Sequence, residues 1–214
     1  MPVDRDSWTP PKPPDRSGAD RWAGALGGSK LLQQPRYARR LEQLRHFITR
    51  PGPLALEIGF DHGINLLANA RAFPDWRWLG VEIRRHRVSA VQPHLPDNCM
   101  ALRLDARILL ASVLEAAELD RVDILFPTPA VKGSHLLFTP ALVHHLSRCL
   151  RPDGVVHIAT DVPGVHKLCE ELFARWERAP HPPRAPDLSR RERVCQRDGL
   201  RVWRETYAVT SDSI

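Results

Sequence analysis

Short apolar runs rich in β-branched residues recur along the chain and alternate with segments of helical character. Five runs fit this pattern: "PLALEIGF", "WRWLGVEI", "NCMALRLDA", "RVDILF" and "VVHIATD". Strands that are apolar on both faces predict a parallel sheet with helices packed on both sides. Near the end of the sequence, "RERVCQRDGLRVWRETYAV" is typical of two strands joined by a turn at Asp-Gly. We therefore expect an α/β, Rossmann-like fold with a mostly parallel sheet and an antiparallel C-terminal hairpin.

The chain has 214 residues, of which 43% are hydrophobic, and this suits one α/β domain. Residues 1–20 are rich in proline and charge, which predicts a disordered leader. Residues 21–214 would form a single domain. Its first part, residues 21–50, carries seven Lys/Arg against one acid and predicts a basic helical segment.

The composition also limits the compartment and the partners that we expect. The four cysteines are widely spaced without a C-x-x-C pair, which argues against a zinc site or a disulfide framework and fits a reducing cytoplasm. The sequence has no run of 18 apolar residues and no apolar signal segment, so we expect no contact with a membrane. The formal charge of +6 is concentrated in residues 21–50 and 184–204. Such basic segments suit a polyanion partner or a plain solvated surface equally well.

Three successive strand ends carry residues that suit an adenosine ligand. The first is followed by "GFDHG", where Gly59 and Gly63 would let a ligand approach the backbone and Asp61 lies between them. This spacing lacks the G-x-G-x-x-G fingerprint of dinucleotide sites. Glu82 ends the second strand and can accept from ribose hydroxyls, and Asp105 ends the third and can accept from an adenine amino group. An adenosine ligand without a pyrophosphate indicates S-adenosylmethionine.

The fourth and fifth strands end in "FPTP" and "ATD", next to where a methyl acceptor would lie. Pro127 and Pro129 cannot continue a sheet, so they predict a stiff turn that holds Thr128 at its tip. Thr160 and Asp161 end the fifth strand.

The order of these motifs resembles the bacterial tRNA (guanine-N7)-methyltransferases over roughly residues 54–209. The motifs are E-I-G, G-V-E-I, D-A, F-P-x-P followed by Lys and His, P-x-G, A-T-D, "SRRE" and "VWRETYAV". The resemblance implies the class I methyltransferase fold with S-adenosylmethionine as cofactor. The predicted cofactor-binding residues are Glu57, Gly59, Asp61, Gly63, Glu82, Ile83, Asp105, Ala106 and Phe126. The predicted substrate-binding residues are Pro127, Thr128, Lys132, Thr160, Asp161, Ser189 and Glu192.

Catalytic roles are assigned to Asp161, Thr128 and His135, and no metal site is expected. Guanine N7 carries a free lone pair, so methyl transfer to it requires alignment and exclusion of water more than a strong base. Asp161 and Glu192 are carboxylates, which can accept from the N–H donors on the Watson–Crick edge of guanine.

The sequence departs from this family in residues 126–138, which follow the fourth predicted strand and which we call the acceptor loop. The family reads F-P-D-P-W, whereas this chain has Thr128 in place of the aspartate and Ala130 in place of the tryptophan. Only Lys132 and His135 remain of a dense basic cluster, and "LLF", residues 136–138, stands where more Lys/Arg would follow. The middle glycine of the cofactor loop is Asp61. Loss of several phosphate contacts weakens nucleic-acid binding strongly.

Three functional hypotheses follow from these departures. The first is an N-methyltransferase acting on a ring nitrogen of a guanine-like or other heteroaromatic small molecule, with "LLF" as an apolar lid. The second is a genuine tRNA guanine-N7 methyltransferase acting on the tRNA variable loop. The third is a non-catalytic RNA-binding relative. In each case we expect a monomer or a homodimer.

Overall fold

A computed structural model of the protein describes residues 4–12, 35–132, 136–186 and 189–209. Its helices are α1 (Pro35–Ile48), α2 (Ile64–Ala72), α3 (Arg85–Val91), α4 (Ala106–Ser112), α5 (Pro140–Cys149), α6 (Pro163–Leu172) and α7 (Arg190–Arg197). Its strands are β1 (Leu54–Ile58), β2 (Arg77–Glu82), β3 (Cys99–Arg103), β4 (Leu119–Leu125), β5 (Leu150–Thr160), β6 (Glu177–Arg178) and β7 (Trp203–Ala208). Among the helices in these ranges, none has the length and apolar character needed to cross a bilayer.

The strands form one sheet in the order β3-β2-β1-β4-β5-β7-β6. The first five strands in this order are parallel to one another, and β7 runs antiparallel to both β5 and β6. The strand order reverses between β1 and β4, which is where open α/β sheets bind their ligands. The predicted fold class is therefore confirmed.

Both faces of the central strands are buried, as their continuous apolar sequences predict. In β1, Leu54 and Leu56 point into the larger hydrophobic cluster, while Ala55 points into a second cluster on the opposite face. The larger cluster is covered by residues of α1, α4, α5 and α6, and the second is covered by α2 and α3. Helix α1 lies within the predicted basic helical segment, and Leu44 and Ile48 are buried on one side of it.

The C-terminal antiparallel strands lie in a different place from the one that the sequence predicts. Residues 190–197 form helix α7 and not the first strand of a hairpin. Ser189 caps this helix by accepting from the backbone N–H of Glu192 (3.2 Å), and Gly199 follows its end with a φ of 65°. Besides β5, β7 pairs with β6, where Glu177 lies opposite Ala208. A capped helix satisfies more backbone groups here than an isolated strand would.

Residues 4–12 lie against the domain, and we call them the N-terminal strap. Trp8 is buried in the larger cluster, and its indole N–H donates to the carbonyl oxygen of Ala130 (2.9 Å). A Cβ atom at Gly164 would lie 2.1 Å from the Trp8 carbonyl oxygen, so the strap crosses the start of α6 in close contact. The sequence predicts a disordered leader over residues 1–20, and the packing of residues 4–12 differs from it. The division of the chain at residue 20 stays a prediction.

Candidate active site

A cavity of about 710 Å³ opens at the carboxyl ends of the parallel strands. Residues that directly follow β1 to β4 line it, as the fold predicts for a ligand site. From the predicted sites, it is lined by Glu57, Gly59, Asp61, Glu82, Ile83, Asp105, Ala106, Phe126, Pro127, Thr128 and Ser189. The residues predicted from the strand ends thus line one side of this cavity.

The loop after β1 holds three residues in the left-handed region within five positions. Gly59 has a φ of 75°, Asp61 a φ of 48° and Gly63 a φ of 71°. A Cβ atom on Gly59 would meet nothing within 4 Å, so the backbone there is open to a ligand. Gly63 heads α2 without lining the cavity, and a Cβ atom there would lie 2.7 Å from the side chain of Val91. Glycine is therefore required at residue 63 by packing, and at residue 59 by conformation.

Glu82 is a buried carboxylate at the end of β2. It accepts from the backbone N–H of Arg84 (2.9 Å) and from the backbone N–H of Asp61 (3.3 Å). Burial alone would raise its pKa, but the hydrogen bonds and the positive charge of Arg84 outweigh burial and hold the pKa below its ordinary value. Glu82 is therefore an ionised acceptor at neutral pH, the state that a ribose diol requires.

Asp105 caps α4 and faces the same cavity from β3. One of its oxygens accepts from the backbone N–H of Arg107 (2.9 Å), and the Arg107 guanidinium contacts the other (2.7 Å). Together, the open backbone at Gly59, the ionised Glu82 and Asp105 at the start of α4 fit an adenosine group. These residues would hold S-adenosylmethionine, which supplies an activated methyl group on sulfur.

Glu57 is buried beneath the cofactor loop and accepts from the side-chain amide of Asn65 (2.9 Å). Burial raises its pKa to about 8, a rise that the Asn65 hydrogen bond only partly offsets. The carboxyl group is therefore mainly protonated at neutral pH, and it adds little negative charge to the cavity.

The raised pKa of Glu57 predicts how stability depends on pH. Between its ordinary pKa of 4.5 and about 8, the folded protein keeps a proton that the unfolded chain releases. The free energy of unfolding should therefore fall as pH rises through this window. We expect Glu57→Gln, which stays neutral, to be more stable than the wild type by a few kcal/mol at about pH 8 and by little at about pH 5. Denaturant unfolding at both pH values measures the difference.

A matched control for this prediction is Glu171→Gln, an exposed position on α6. Its stability relative to the wild type should not change across the same pH window. A Glu57→Gln difference that stays constant with pH would contradict the buried, protonated carboxyl group.

The acceptor loop after β4 turns as its prolines predict. Phe126 has a φ of 49°, and Thr128 is exposed on the cavity wall. Leu136 and Phe138 are buried in the larger hydrophobic cluster, and Leu137 lines the cavity. The apolar segment "LLF" therefore packs mainly inward, in contrast to the apolar lid that the sequence predicts. Lys132 is exposed and lies off the cavity, and His135 is outside the described residues.

Asp161 lies just behind the cavity wall. Its side chain is 2% exposed, and its two oxygens accept from the guanidinium groups of Arg5 and Arg191, both of which line the cavity. Burial would raise the pKa of Asp161, but these two arginines hold it below its ordinary value. The neighbouring Thr160 accepts from the backbone N–H of Val162 (3.1 Å) and also lies off the cavity.

Glu192 is likewise paired with arginines and is set back from the cavity. Its carboxylate accepts from Arg184 (2.9 Å) and from Arg204. Burial would raise its pKa, and these two guanidinium groups lower it below its ordinary value. The structure thus brings Asp161 and Ser189 near the acceptor end and assigns the Glu192 side chain to an ion-pair network. The role of these residues in holding a substrate stays a prediction.

Several cavity residues carry no signal that the sequence patterns could reveal. Asn65, Arg84 and Arg87 come from α2 and the start of α3, and Arg5 comes from the strap. Arg84 and Arg87 both contact Asp61 (2.9 and 3.1 Å), the residue that replaces the family's middle glycine. The charge of Asp61 is therefore balanced by two arginines at the start of α3.

Three possible metal ligands converge away from the cavity, on α6 and β7. His166 contacts Glu205 (2.9 Å) and Glu170 (3.6 Å). Arg178 pairs with both of these carboxylates, so a positive charge already occupies the space that a cation would need. His166, Glu170, Glu205 and Arg178 therefore form an ion-pair network. The expectation that the protein has no metal site stays a prediction.

Comparisons with known proteins agree with this geometry. Residues 51–203 match a family model described as "Putative methyltransferase". The chain is 36% identical over 131 residues to a tRNA (guanine-N(7)-)-methyltransferase of Synechococcus sp. (strain JA-2-3B'a(2-13)), a match that covers 58% of this chain and 54% of the relative. It thus spans about half the length of that relative. A tRNA (guanine-N(7)-)-methyltransferase of Stutzerimonas stutzeri (strain A1501) is 30% identical over 204 residues, covering 83% of this chain and 84% of the relative.

A solved structure has the same fold at low sequence identity. It is the 16S rRNA (adenine(1408)-N(1))-methyltransferase of Catenulisporales acidiphilia, in a crystal structure with cosubstrate SAM. The TM-score is 0.56 at 15% identity, covering 80% of this chain and 92% of that chain. From the family model and the match along the Stutzerimonas relative, the chain belongs to the family of S-adenosylmethionine-dependent methyltransferases that includes the tRNA (guanine-N(7)-)-methyltransferases.

Proposed function

We propose that this protein transfers a methyl group from S-adenosylmethionine to N7 of a guanine in the variable loop of tRNA, in the cytoplasm, as a monomer or a homodimer. One observation carries the proposal: the match to a relative with this name runs through 83% of the chain and 84% of the relative. The cavity supports it, because the adenosine-binding strand ends and the acceptor loop meet there.

The chemistry asks mainly for alignment, since guanine N7 offers a free lone pair to the methyl group. Proximity and a fixed line of attack lower the barrier of such a transfer. The stiff turn around Thr128 gives the acceptor a rigid wall, and its hydroxyl can donate as well as accept. Asp161 would accept from the N–H donors of guanine, and this fixes which edge of the base faces the cofactor.

The charge around the cavity supports a nucleic-acid substrate. Among the residues that the structure describes, six arginines line it, namely Arg5, Arg84, Arg87, Arg107, Arg190 and Arg191, against four acids, Glu57, Asp61, Glu82 and Asp105. Glu57 is mainly protonated at neutral pH, whereas the buried Asp161 carboxylate pairs with Arg5 and Arg191 from behind the wall. The arginines therefore keep a small positive excess over the ionised acids. A positive rim attracts a phosphate backbone and raises its rate of association.

The small-molecule hypothesis has less support than the tRNA hypothesis. It rests on "LLF" as an apolar lid over the acceptor, and Leu136 and Phe138 are buried in the core (5% and 3% exposed). The named relatives also act on tRNA by their descriptions. The non-catalytic hypothesis has less support, because most of the residues that we predict to bind the cofactor line the cavity.

Methyl transfer from labelled S-adenosylmethionine tests the proposal. It is run in parallel on bulk tRNA that lacks N7-methylguanine and on a panel of purines and related heterocycles. We expect label in tRNA, mapped to guanine N7 by chain cleavage at the methylated base. Label confined to the small heterocycles would favour the small-molecule hypothesis. Cofactor binding without transfer to either substrate would favour the non-catalytic one.

A further inference from the structure

The N-terminal strap joins three parts of the acceptor side of the cavity. Trp8 is 8% exposed and donates to the carbonyl oxygen of Ala130 in the acceptor loop (2.9 Å). The Trp8 backbone packs on Gly164 at the start of α6, where any side chain at residue 164 would collide with it. The strap is therefore anchored next to the acceptor site by an aromatic side chain and a close backbone contact.

The anchor contacts the acceptor loop at the position where this chain departs from the resembling family. The resembling family carries a tryptophan where this chain has Ala130, and here an indole reaches the same loop from residue 8. Ala130 is itself 9% exposed and belongs to the same hydrophobic cluster as Trp8. Trp8 and Ala130 do not line the cavity themselves, so the anchor acts by holding the strap, and with it Arg5, beside the cavity.

Arg5 lies three residues before this anchor and covers Asp161. One carboxylate oxygen of Asp161 accepts from Arg5, and the other accepts from Arg191. The Arg5 side chain is 28% exposed and lines the cavity, whereas the Asp161 side chain is 2% exposed and does not line it. Arg5 therefore separates Asp161 from the space where an acceptor base would lie.

We propose that Arg5 and the strap gate the guanine subsite: Arg5 occupies one oxygen of Asp161 in the free protein, and the N–H donors of the substrate guanine displace it. This rests on the proposed function. Both donors need the same lone pairs, so they compete for them directly. Guanine presents adjacent N–H donors on its Watson–Crick edge and can replace the guanidinium contact. If a base without adjacent N–H donors displaced Arg5, the buried Asp161 carboxylate would lose a hydrogen bond that the base does not replace. Arg5 therefore also acts as a specificity-determining residue.

The contact itself can be tested without any activity assay, because Arg5 is a trypsin cleavage site. A guanidinium held on Asp161 cannot enter the protease, so cleavage after Arg5 should be slow in the wild type. We expect Asp161→Asn to speed this cleavage by about tenfold, followed by the mass of the released N-terminal peptide. The control is Asp153→Asn, an exposed aspartate at the start of β5. Equal cleavage rates in both variants would overturn the proposed contact.

Steady-state kinetics with tRNA test the competition. Removing the competitor should lower KM, so we expect Arg5→Ala to have a KM for tRNA about threefold to tenfold below that of Lys12→Ala, with similar kcat. Lys12 is exposed on the same strap, so its replacement removes the same charge and controls for weaker long-range attraction to RNA. Arg5→Lys should return KM toward the wild-type value.

The outcomes separate the gate from the proposed function. A KM for Arg5→Ala equal to or above that of Lys12→Ala would overturn the gate. A wild-type protein that methylates no tRNA would overturn the proposed function, and the cleavage experiment would still decide whether Arg5 covers Asp161.

Discussion

Asp161→Asn is expected to lower kcat/KM for methyl transfer to tRNA by about 100-fold or more while leaving the affinity for S-adenosylmethionine unchanged. Asparagine has the same size as aspartate but carries no charge. Its amide NH2 replaces one accepting oxygen, and this donor would face the N–H donors of guanine. The cofactor residues lie at other strand ends, so their contacts remain. Single-turnover methylation and equilibrium binding of S-adenosylmethionine measure the two quantities separately.

Asp153→Asn is the matched control for this change. Asp153 is exposed at the opposite end of β5 and has a φ of 64°, a conformation that asparagine also adopts readily. It should retain wild-type transfer. If Asp161→Asn also retains it, Asp161 does not hold the acceptor base and serves only to pair with its two arginines.

Glu82→Gln is expected to weaken binding of S-adenosylmethionine by about 10-fold to 100-fold. An ionised carboxylate accepts from both ribose hydroxyls, whereas an amide can accept only through its oxygen and turns N–H donors toward the second hydroxyl. The substitution also removes the charge that pairs with Arg84 (3.1 Å). Isothermal titration with S-adenosylmethionine measures the loss, and thermal unfolding checks that the variant folds.

Glu115→Gln provides the comparison for Glu82. The Glu115 side chain is 75% exposed and lies off the cavity, so cofactor affinity should not change. If the Glu82→Gln protein binds S-adenosylmethionine with wild-type affinity, Glu82 does not contact the cofactor. Its role would then be to order the loop at Asp61, whose backbone N–H donates to it.

The residues on the strand-end side of the cavity could be located from the sequence because they directly follow strands, and their role in binding the cofactor stays a prediction. In a parallel sheet, these positions meet at one edge regardless of the rest of the fold. Once the strands are assigned correctly, the positions of Gly59, Glu82 and Asp105 along the cavity follow. Arg84 and Arg87 were missed because their roles depend on side-chain direction, and no periodicity reports that direction.

The strap could not be predicted because its contacts are remote in sequence. Trp8 reaches Ala130 across 122 residues, and Arg5 reaches Asp161 across 156. The local composition is rich in proline and charge, which predicts disorder when only neighbouring residues are considered. A single buried indole outweighs that local tendency through the area that it removes from water.

Helix α7 was predicted as a strand because two local signals compete in residues 189–199. The Asp-Gly pair favours a hairpin turn, whereas Ser189 followed three residues later by Glu192 is a helix-capping pattern. In the structure Glu192 and Cys195 are buried on one side of the helix. This burial decides between the two signals, and it depends on neighbours that lie far away in the sequence.

The direction of β7 has a practical consequence for handling the protein. Trp203 pairs with Thr160 at the cavity edge, and Ala208 pairs with Val155 at the opposite edge of the sheet. The chain therefore leaves β7 at the edge of the sheet away from the cavity, and we expect an affinity tag on the carboxyl-terminal side of β7 to disturb the cavity little. A tag fused ahead of residue 4 would be joined to the strap, in which Arg5 lines the cavity. Such a tag is expected to alter the kinetic constants. We therefore expect kinetic constants to be disturbed less by a tag that follows β7 than by one that precedes the strap.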